Sequence, residues 1–249
     1  MKTILITGCS SGFGLETAKF FLDKGWKVIA TMRRPKDGLF PQSDNLRILP
    51  LDVTKAESIS KVIAEAGPID VLVNNAGIGL LAPVESTNIK DIRDVFETNT
   101  LGTIAMTQAV LPQFRERQSG MIINVTSTVT VKPLLLLAAY TASKSAVNAF
   151  TESLALELEP FNVKVRLVLP GLAPTTNFTE NALPRMHVHE AYKSQVDSVF
   201  QGFKDVTEVT HAIDVAQKIW EVANDPSSHM RNPAGKDAVT WAKATGYIE

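Results

Sequence analysis

Three polar residues of this chain have the types and spacing for proton transfer: Ser127, Tyr140 and Lys144. Tyr140 and Lys144 stand four residues apart in the stretch YTASK, and on a helix such positions share one face. A phenol with its ordinary pKa of about 10 is a poor acid or base at neutral pH, but a neighbouring cation favours the phenolate and lowers that pKa. Ser127 ends a predicted strand, where its hydroxyl is expected beside the tyrosine. The set predicts a general acid/base, although such a pair by itself is often plain helix surface.

A glycine-rich turn, TGCSSGFG (7–14), follows the first predicted strand and begins the first predicted helix. Gly8 allows a tight turn, while Gly12 and Gly14 allow backbone N–H groups to approach a pyrophosphate. The helix N-terminus adds partial positive charge for that anion. The alternative is a turn that serves only strand–helix packing. In its strand–turn–helix context the motif favours a dinucleotide site.

The residues after the second predicted strand bear on which dinucleotide binds. An acid about 20 residues beyond the glycines usually takes the adenosine ribose hydroxyls. Here the strand ends at Met32 and is followed by Arg33 and Arg34, while Asp37 lies beyond Pro35 in the loop. Arginine suits a 2′-phosphate, so the sequence favours NADP(H) over NAD(H). A solvated arginine pair is the alternative.

Short apolar runs alternate with longer helical patterns, which is typical of βαβ units around a parallel sheet. The predicted strands are 3–7, 27–32, 46–51, 69–74, 121–127 and 163–169, with a weaker one at 237–241, and the predicted helices are about 13–24, 55–66, 88–117, 140–159 and 208–224. The third helix is expected to break near Thr98 to Thr100. We predict an α/β fold of the Rossmann type, a single domain over 1–249 whose doubly wound parallel sheet has about seven strands and helices on both faces.

The segment from about Thr175 to Val206 differs from this pattern, with a proline, two histidines and mixed polarity after a strand end. Ligands of open α/β sheets bind beyond the carboxyl ends of the strands, so the segment is predicted to be a lid. His187 and His189 form an HxH pair that could indicate a metal. No carboxylate or cysteine cluster accompanies them in the sequence, so we predict solvated histidines and no metal.

Charge and composition argue against several functions. The net charge is −1, with acids and bases interspersed, which is unlike a nucleic-acid surface. The longest apolar run, 134–139, is far shorter than the roughly 20 residues of a membrane span, and the first strand leaves no room for a signal peptide. The only cysteine, Cys9, cannot form an internal disulfide and fits a tight turn better than a redox sensor. We therefore expect a cytoplasmic protein without nucleic-acid or membrane partners.

Several motifs together resemble one family. They are TGCSSGFG (7–14), NNAG (74–77), Asn99 in ETNTLG, Ser127, YTASK (140–144) and Pro170-Gly171. In this order, over nearly the whole chain, they resemble the classical short-chain dehydrogenase/reductases. The glycine turn with ATMR (30–33) is similar to the hydroxysteroid and retinol dehydrogenase branch and its bacterial ketoreductase relatives. The resemblance implies an oxidoreductase that prefers NADP(H) and bulky apolar substrates.

The resemblance also implies roles for individual residues. Tyr140 would be the general acid/base, Lys144 would bind the nicotinamide ribose and tune the tyrosine, and Ser127 would orient the carbonyl or hydroxyl. Asn99 would hold a water that links Lys144 to solvent. The two long helices, about 99–117 and 140–159, would pair subunits into a homodimer or homotetramer.

The implied cofactor contacts follow the chain. Asp52 and Val53 would contact the adenine, and the backbone of Ala173 and the hydroxyl of Thr175 would hold the carboxamide. The full set is Gly8, Ser10, Gly12, Phe13, Gly14, Arg33, Arg34, Asp52, Val53, Asn75, Ala76, Gly77, Tyr140, Lys144, Pro170, Gly171, Ala173 and Thr175.

The stretch VKPLLLLAA (131–139) lies between Ser127 and Tyr140 and must run beside them. Four consecutive leucines are unusual in a loop. We predict that at least one of Leu134, Leu135, Leu136 and Leu137 lines an apolar pocket, with core packing or a subunit contact as the alternative. From the lid, Phe178, Met186, Tyr192 and Phe200 are predicted to close over a hydrophobic ligand.

Three functional hypotheses follow. The first is an NADP(H)-dependent oxidoreductase that interconverts a bulky apolar ketone or aldehyde and its alcohol, with Tyr140 as the proton donor or acceptor. The second is a catalytically silent NADP(H)-sensing protein, whose signature would be a broken Ser–Tyr–Lys set; here the set is whole. The third, an extended epimerase or dehydratase, would need a differently spaced glycine turn and a larger C-terminal domain.

Overall fold

Seven parallel strands form one sheet in the order β3-β2-β1-β4-β5-β6-β7. The computed structural model describes residues 1–247 of the chain, and the side chains of 1–203 and 206–247. The strands are β1 (Thr3–Ile6), β2 (Lys27–Met32), β3 (Leu46–Pro50), β4 (Val71–Asn74), β5 (Gly120–Val125), β6 (Val163–Pro170) and β7 (Arg231–Ala234). The predicted Rossmann-type sheet is therefore confirmed. The last two residues of the predicted domain lie outside the described residues.

Helices connect the strands on both faces of the sheet. They are α1 (Gly12–Asp23), α2 (Ala56–Ala66), α3 (Ile89–Phe96), α4 (Gly102–Arg117), α5 (Ala138–Leu158), α6 (Phe178–Ala182), α7 (Lys193–Asp205), α8 (Ala212–Asn224) and α9 (Lys236–Ala244). The chain builds outward from β1 to β3, then crosses back to β4 beside β1. This reversal opens a crevice at the carboxyl ends of β1 and β4, where ligands of such sheets bind.

Alternation along the strands sends apolar side chains into two separate cores. In β1, Ile4 and Ile6 face one cluster, which includes Phe21 of α1 and Ile219 of α8, while Leu5 faces the other. The second cluster includes Phe114 of α4 together with residues of α2 and α5. Because both faces are buried, these strands read as continuous apolar runs, which is typical of parallel sheets.

The long helix predicted over 88–117 is interrupted where the sequence indicated. A π-helical stretch, Glu97–Leu101, separates α3 from α4. Within it Asn99 and Thr100 are buried, the Thr103 hydroxyl donates to the Asn99 carbonyl at 2.8 Å, and the Thr100 hydroxyl donates to the Ser143 carbonyl at 3.0 Å. Such bulges frequently mark functional sites, and this one aims Asn99 toward α5.

The prediction of a weaker strand at 237–241 is wrong. The seventh strand is β7, and 237–241 belongs to α9. Gly235, with φ of 103°, ends the strand, and Ala238 and Ala242 are then buried at helical i, i+4 spacing. Pro233 disfavoured a strand assignment for β7, but β7 is an edge strand that pairs only with β6, where proline is tolerated. The helix predicted from 208 begins later, at Ala212.

Candidate active site

Part-buried polar contacts hold the glycine loop after β1, and two of its glycines, Gly8 and Gly14, have no room for a side chain. The Thr7 hydroxyl accepts from the backbone N–H groups of Asn75 and Ala76 at 3.0 and 2.9 Å, and the Asn75 amide donates to the Thr7 carbonyl at 2.9 Å. A Cβ on Gly8 (φ 77°) would lie 2.8 Å from the Ala76 Cα, and one on Gly14 would lie 2.5 Å from the Asn75 amide nitrogen. The loop is therefore fixed before any ligand binds.

A cleft of about 450 Å³ runs from this loop to Tyr140 and Lys144. Of the cofactor-binding residues implied by the resemblance, it is lined by Gly8, Ser10, Gly12, Phe13, Arg33, Asp52, Val53, Asn75, Ala76, Gly77, Tyr140 and Lys144. The structure thus brings together two thirds of that implied set, from widely separated parts of the chain, in one crevice.

Six implied residues do not line the cleft: Gly14, Arg34, Pro170, Gly171, Ala173 and Thr175. Gly14 packs against Gly8, and Arg34 is exposed. Lys36, by contrast, lines the cleft beside Arg33 and was missed, because sequence reasoning considered only the two arginines that directly follow the strand. Thr176, Asn177 and Asn181 also line it and were missed, because only the folded path of the lid brings them there.

Tyr140 and Lys144 lie in the first two turns of α5 and are almost completely buried. The Lys144 Nζ donates to the Val125 carbonyl at the end of β5, at 3.0 Å. Burial lowers the pKa of Lys144 to about 8. The same desolvation raises the pKa of Tyr140 well above its usual range, while a hydrogen bond with Ser127 acts in the opposite direction. A neighbouring cation was expected to lower the pKa of Tyr140, but in the ligand-free protein burial wins.

Ser127 and Asn99 lie behind the cleft surface. The Ser127 hydroxyl accepts from the Val129 backbone N–H at 3.3 Å, at the start of a short 3-10 turn. The Asn99 side chain accepts from the Ile78 N–H at 2.8 Å and donates to the Ile78 carbonyl at 3.1 Å and the Ser143 hydroxyl at 3.2 Å. Asn99 and Lys144 flank Gly77, where an added Cβ would lie 3.2 Å from the Asn99 Oδ1 and 3.5 Å from the Lys144 Nζ.

An apolar cluster packs around Tyr140. Leu134, Leu136 and Leu137 belong to it, whereas Leu135 is 60% exposed and does not. Leu136 has a φ of 66°, rare for a branched side chain, and its carbonyl accepts from the Ala82 N–H at 2.9 Å. The turn places Leu134, Leu136 and Leu137 in the cluster and leaves Leu135 facing solvent, and none of the four lines the cleft, which matches the core-packing alternative.

The lid contributes two of its four predicted pocket residues to the same cluster, Phe178 and Phe200. The Phe178 ring packs edge-on against Tyr140, with ring centroids 5.1 Å apart, and a Cβ on Gly79 would lie 2.7 Å from it. Met186 is half-buried, and the Tyr192 hydroxyl instead donates to Glu85 at 2.7 Å on the far wall. The lid thus covers the tyrosine mainly through Phe178.

The two lid histidines lie at the surface. His189 accepts from the Ala191 N–H through its Nδ1 at 3.2 Å, and the His187 carbonyl accepts from the Ser86 hydroxyl at 2.7 Å. Over residues 1–247, no three histidine, cysteine or acidic side chains come together as a metal site. Likewise, none of the helices described there is long and apolar enough to span a bilayer.

Residues 2–186 match the family model described as short chain dehydrogenase. The chain therefore belongs to the short-chain dehydrogenase family of oxidoreductases, as its motifs implied.

Among characterised relatives, it is 40% identical over 184 residues to a 3-ketodihydrosphingosine reductase of Bacteroides thetaiotaomicron, covering 72% of this chain and 66% of that protein. It is 38% identical over 182 residues to retinol dehydrogenase 8 of Bos taurus, covering 68% of this chain and 58% of that one. The chain thus matches only about three fifths to two thirds of the length of these relatives. They support the predicted likeness to the retinol dehydrogenase branch.

Solved structures match over almost the whole chain. A short-chain dehydrogenase from Streptomyces avermitilis superposes with a TM-score of 0.85 at 34% identity, covering 98% of this chain and 92% of that one. The closed form of serine dehydrogenase complexed with NADP+ superposes with a TM-score of 0.81 at 31% identity, covering 94% and 95%.

Proposed function

We propose that this protein is an NADP(H)-dependent oxidoreductase that interconverts a bulky apolar ketone or aldehyde and its alcohol, with Tyr140 as general acid/base. The observation that carries the proposal is the burial of Tyr140 and Lys144 side by side at the end of a cleft that begins at a glycine loop. Buried titratable groups with shifted pKa values in a cleft are typical of catalytic sites.

The cleft fits a dinucleotide at both ends. Gly8 and Gly12 line the cleft at the N-terminus of α1, where a pyrophosphate is stabilised, and Gly14 lets the helix pack closely against Gly8. At the other end, Gly77 leaves open the space in front of Lys144 and Asn99, where a nicotinamide ribose would lie. When bound, the cofactor supplies or accepts the hydride.

The residues of the chain manage the proton. The Tyr140 phenol is protonated at neutral pH even with its ordinary pKa of about 10, and burial, which raises that pKa, keeps it so; this is the form that gives a proton to a carbonyl oxygen during reduction. Ser127, hydrogen-bonded to Tyr140, orients that oxygen. Lys144, with a pKa lowered to about 8, can return a proton to the tyrosine close to neutral pH. The lid and the leucine turn exclude water around the ring.

Two basic side chains support a preference for NADP(H). Arg33 and Lys36 both line the cleft where the adenosine ribose of a dinucleotide would lie. Burial raises the pKa of the nearby Asp52 carboxyl, but hydrogen bonds from Thr54 and the Arg33 charge outweigh it and hold the pKa below its usual value. In this proposal Lys36, which lines the cleft, takes the place of the predicted Arg34 as the second cation. The NADP+ complex of the related serine dehydrogenase is consistent with it.

The proposed substrate class rests on the apolar cluster around Tyr140. Leu134, Leu136, Leu137 and Phe178 pack in the apolar cluster that contains Tyr140, and of these Phe178 forms an apolar wall of the cleft. The names of two relatives, a reductase of 3-ketodihydrosphingosine and a retinol dehydrogenase, refer to substrates with long apolar chains. A ketone or aldehyde with a large apolar substituent suits such a wall.

One observation favours the second hypothesis, a silent NADP(H)-sensing protein. The Phe178 ring packs against Tyr140 where a substrate would approach it. If Phe178 never leaves, the cleft binds the dinucleotide without turnover.

The deciding experiment compares oxidation of NADPH and NADH over a panel of bulky aryl ketones, aldehydes and a steroid ketone. We expect turnover with NADPH well above NADH. Arg33→Ser should weaken NADPH use by about 10-fold or more, the scale of a lost charged hydrogen bond, and leave NADH use nearly unchanged. Arg34→Ser is the matched control and should change neither. An NADH preference would remove the phosphate-site argument, and tight NADPH binding without turnover would favour the sensor.

Assembly and location complete the proposal. We infer a homodimer or homotetramer formed through α4 and α5, because Leu156 of α5 is 74% exposed and Leu101, just before α4, is 49% exposed. Light scattering of the purified protein should give two or four times the 27.1 kDa chain mass. The buried single thiol, Cys9, suits the reducing cytoplasm.

A further inference from the structure

A buried carboxylate outside the active site connects elements that are distant in sequence. Asp237, in the first turn of α9, is only 3% exposed. One carboxylate oxygen accepts from the Leu172 backbone N–H at 2.7 Å, and the other accepts from the Thr210 hydroxyl at 2.6 Å. In the part of the chain that the structure describes, no salt bridge reaches it. A buried charge is tolerated only where hydrogen bonds replace water, so these two contacts matter.

Thr210 completes the connection from the other side. Its backbone N–H donates to the Leu172 carbonyl at 2.8 Å, and its hydroxyl accepts from the Gly171 N–H at 3.0 Å. Both backbone groups of Leu172 and the N–H of Gly171 are therefore bound by Thr210 or Asp237. Thr210 itself is completely buried.

These residues stand at the two ends of the lid. The chain leaves the sheet at Gly171 and Leu172, runs through the lid, and returns at Thr210, just before α8. The hydrogen bonds thus close the base of a long loop, which limits the number of conformations its first residues can take. Ala173, whose carbonyl accepts from the N–H and the hydroxyl of Thr176, is the next residue along.

Two glycines provide the space that this arrangement needs. A Cβ on Gly171 would lie 2.5 Å from the Asp237 Oδ1, and one on Gly235, where φ is 103°, would lie 2.7 Å from the Thr210 Cβ. Neither position tolerates a side chain while Asp237 and Thr210 remain in place. The glycine of the Pro170-Gly171 motif is thereby explained by contact with a carboxylate of α9 rather than by contact with a ligand.

We propose that Asp237 and Thr210 form a clamp that fixes the base of the lid and so positions the residues after Gly171 for the nicotinamide end of the cofactor. The proposal rests on the proposed function only in naming the cofactor. Asp237 is a positioning residue, since it touches backbone and a threonine and reaches the ligand through them.

The test compares Asp237→Ala with Asp237→Asn. Asparagine keeps an acceptor for the Leu172 N–H and can donate to the Thr210 hydroxyl, whose proton then goes to the Ala234 carbonyl 3.0 Å away. In Asp237→Ala we expect the amides of Gly171 and Leu172 to exchange hydrogen about 10-fold faster and NADPH to bind about 10-fold more weakly. Asp237→Asn should stay within about 3-fold of the wild type in both.

Asp214→Ala is the control for stability alone. Asp214 caps α8 by accepting from the His211 N–H at 2.8 Å and does not contact Leu172. The Asp214→Ala substitution should lower Tm without changing hydrogen exchange at Gly171 and Leu172 and without changing NADPH affinity. The clamp is overturned if Asp237→Ala behaves like Asp214→Ala, with a lower Tm only.

Two further arms keep the result interpretable. If Asp237→Ala does not fold, Thr210→Val is the second variant, because it removes only the hydroxyl and keeps the backbone bond to Leu172. We expect changes of about 3-fold in the same directions. If Thr210→Val changes neither amide exchange nor NADPH affinity, the clamp is overturned. If the wild type fails to bind NADPH, the proposed function is wrong, but exchange in the ligand-free protein still decides the clamp.

Discussion

The glycine loop and the lid meet at the same cleft, but different kinds of contact hold them. The loop is fixed by part-buried hydrogen bonds between side chains and backbone, in which the Thr7 hydroxyl and the Asn75 amide join the segments that follow β1 and β4. Beyond its base, the lid is joined to the opposite wall by half-buried or exposed pairs: Ser86 with the His187 carbonyl, Tyr192 with Glu85, and Arg185 with Asp91 at 3.8 Å.

This difference has an energetic meaning. Exposed pairs contribute little to stability, whereas crowded buried backbone tolerates almost no change. We therefore expect the loop to bind a ligand without rearranging, and the lid, which Phe178 and Phe200 also pack into the apolar cluster around Tyr140, to be held more weakly than the loop. Elements that gate a site are expected at the low-stability end of a structure.

Replacement of Tyr140, which lies between the two regions at the end of the cleft, should have the largest effect. Tyr140→Phe removes the proton donor but keeps the ring that packs against Phe178. We expect turnover to fall by about 10²–10⁴-fold, the usual contribution of general acid/base catalysis, with NADPH affinity nearly unchanged. Steady-state kinetics and NADPH fluorescence titration measure the two. Substantial activity in this variant would contradict the assigned role of Tyr140.

A pair of glycine substitutions contrasts the two regions directly. In Gly14→Ala the new methyl would overlap the Gly8 carbonyl and the Asn75 amide, so we expect destabilisation by about 1–3 kcal/mol or more. Gly202→Ala, in helix α7 of the lid, meets nothing within 4 Å and should stabilise by about 0.5–1 kcal/mol. Urea unfolding measures both. Equal effects would show that the regions do not differ in packing as described.

Lys144 of α5 is a buried cation, and the burial of its charge lowers the stability of the folded protein. Its folded pKa of about 8 lies below the unfolded value, so the unfolded chain binds more protons between about pH 8 and 10.5 and the stability of the wild type rises with pH across that window. Lys144→Met should abolish activity yet stabilise the ligand-free protein at pH 7 by about 1–3 kcal/mol.

The same substitution has a pH signature. The stability gap between Lys144→Met and the wild type should narrow by about 1–2 kcal/mol from pH 7 to pH 9.5, as the wild-type lysine loses its charge. Urea unfolding at both pH values measures the gap. A constant gap would mean that packing, not the buried charge, makes the difference.

The smallest effect is expected at the contacts of the lid with the opposite wall. Tyr192→Phe removes only the hydrogen bond to Glu85, so kcat or KM should change by about 2–3-fold and the lid should be cleaved faster by a protease. Lys193→Ala breaks an exposed ion pair with Glu190 inside the lid and should leave both measures unchanged. A large loss in Tyr192→Phe would place the lid among the rigid parts.

Six of the seven strands were predictable because their signals are local. Apolar runs bounded by turn residues gave β1 to β6, and the glycines of the loop stand where a strand meets a helix. The order of strands also follows from general rules for parallel α/β sheets. Tyr140 and Lys144 were recognisable because helical spacing puts them on one face and because Ser127 and the glycine turn occur in the same chain.

Other features depended on contacts between distant segments. β7 contains Pro233 and was missed, because only its place at the sheet edge makes a proline acceptable there. The place of Lys36 in the cleft, the exposure of Leu135 and the contact of Phe178 with Tyr140 depend on how loops fold over the sheet. Spacing along the chain does not encode such contacts.

The sequence by itself determined the family and six of the seven strands and indicated the candidate reacting side chains, since these follow from short-range patterns of polarity and glycine. Only the tertiary structure decided the balance of forces at the site. Burial, which depends on every element packed around Tyr140 and Lys144, moves their pKa values in opposite directions. The same holds for Asp237, an ordinary acid in the sequence that the fold removes from water and places at the base of the lid.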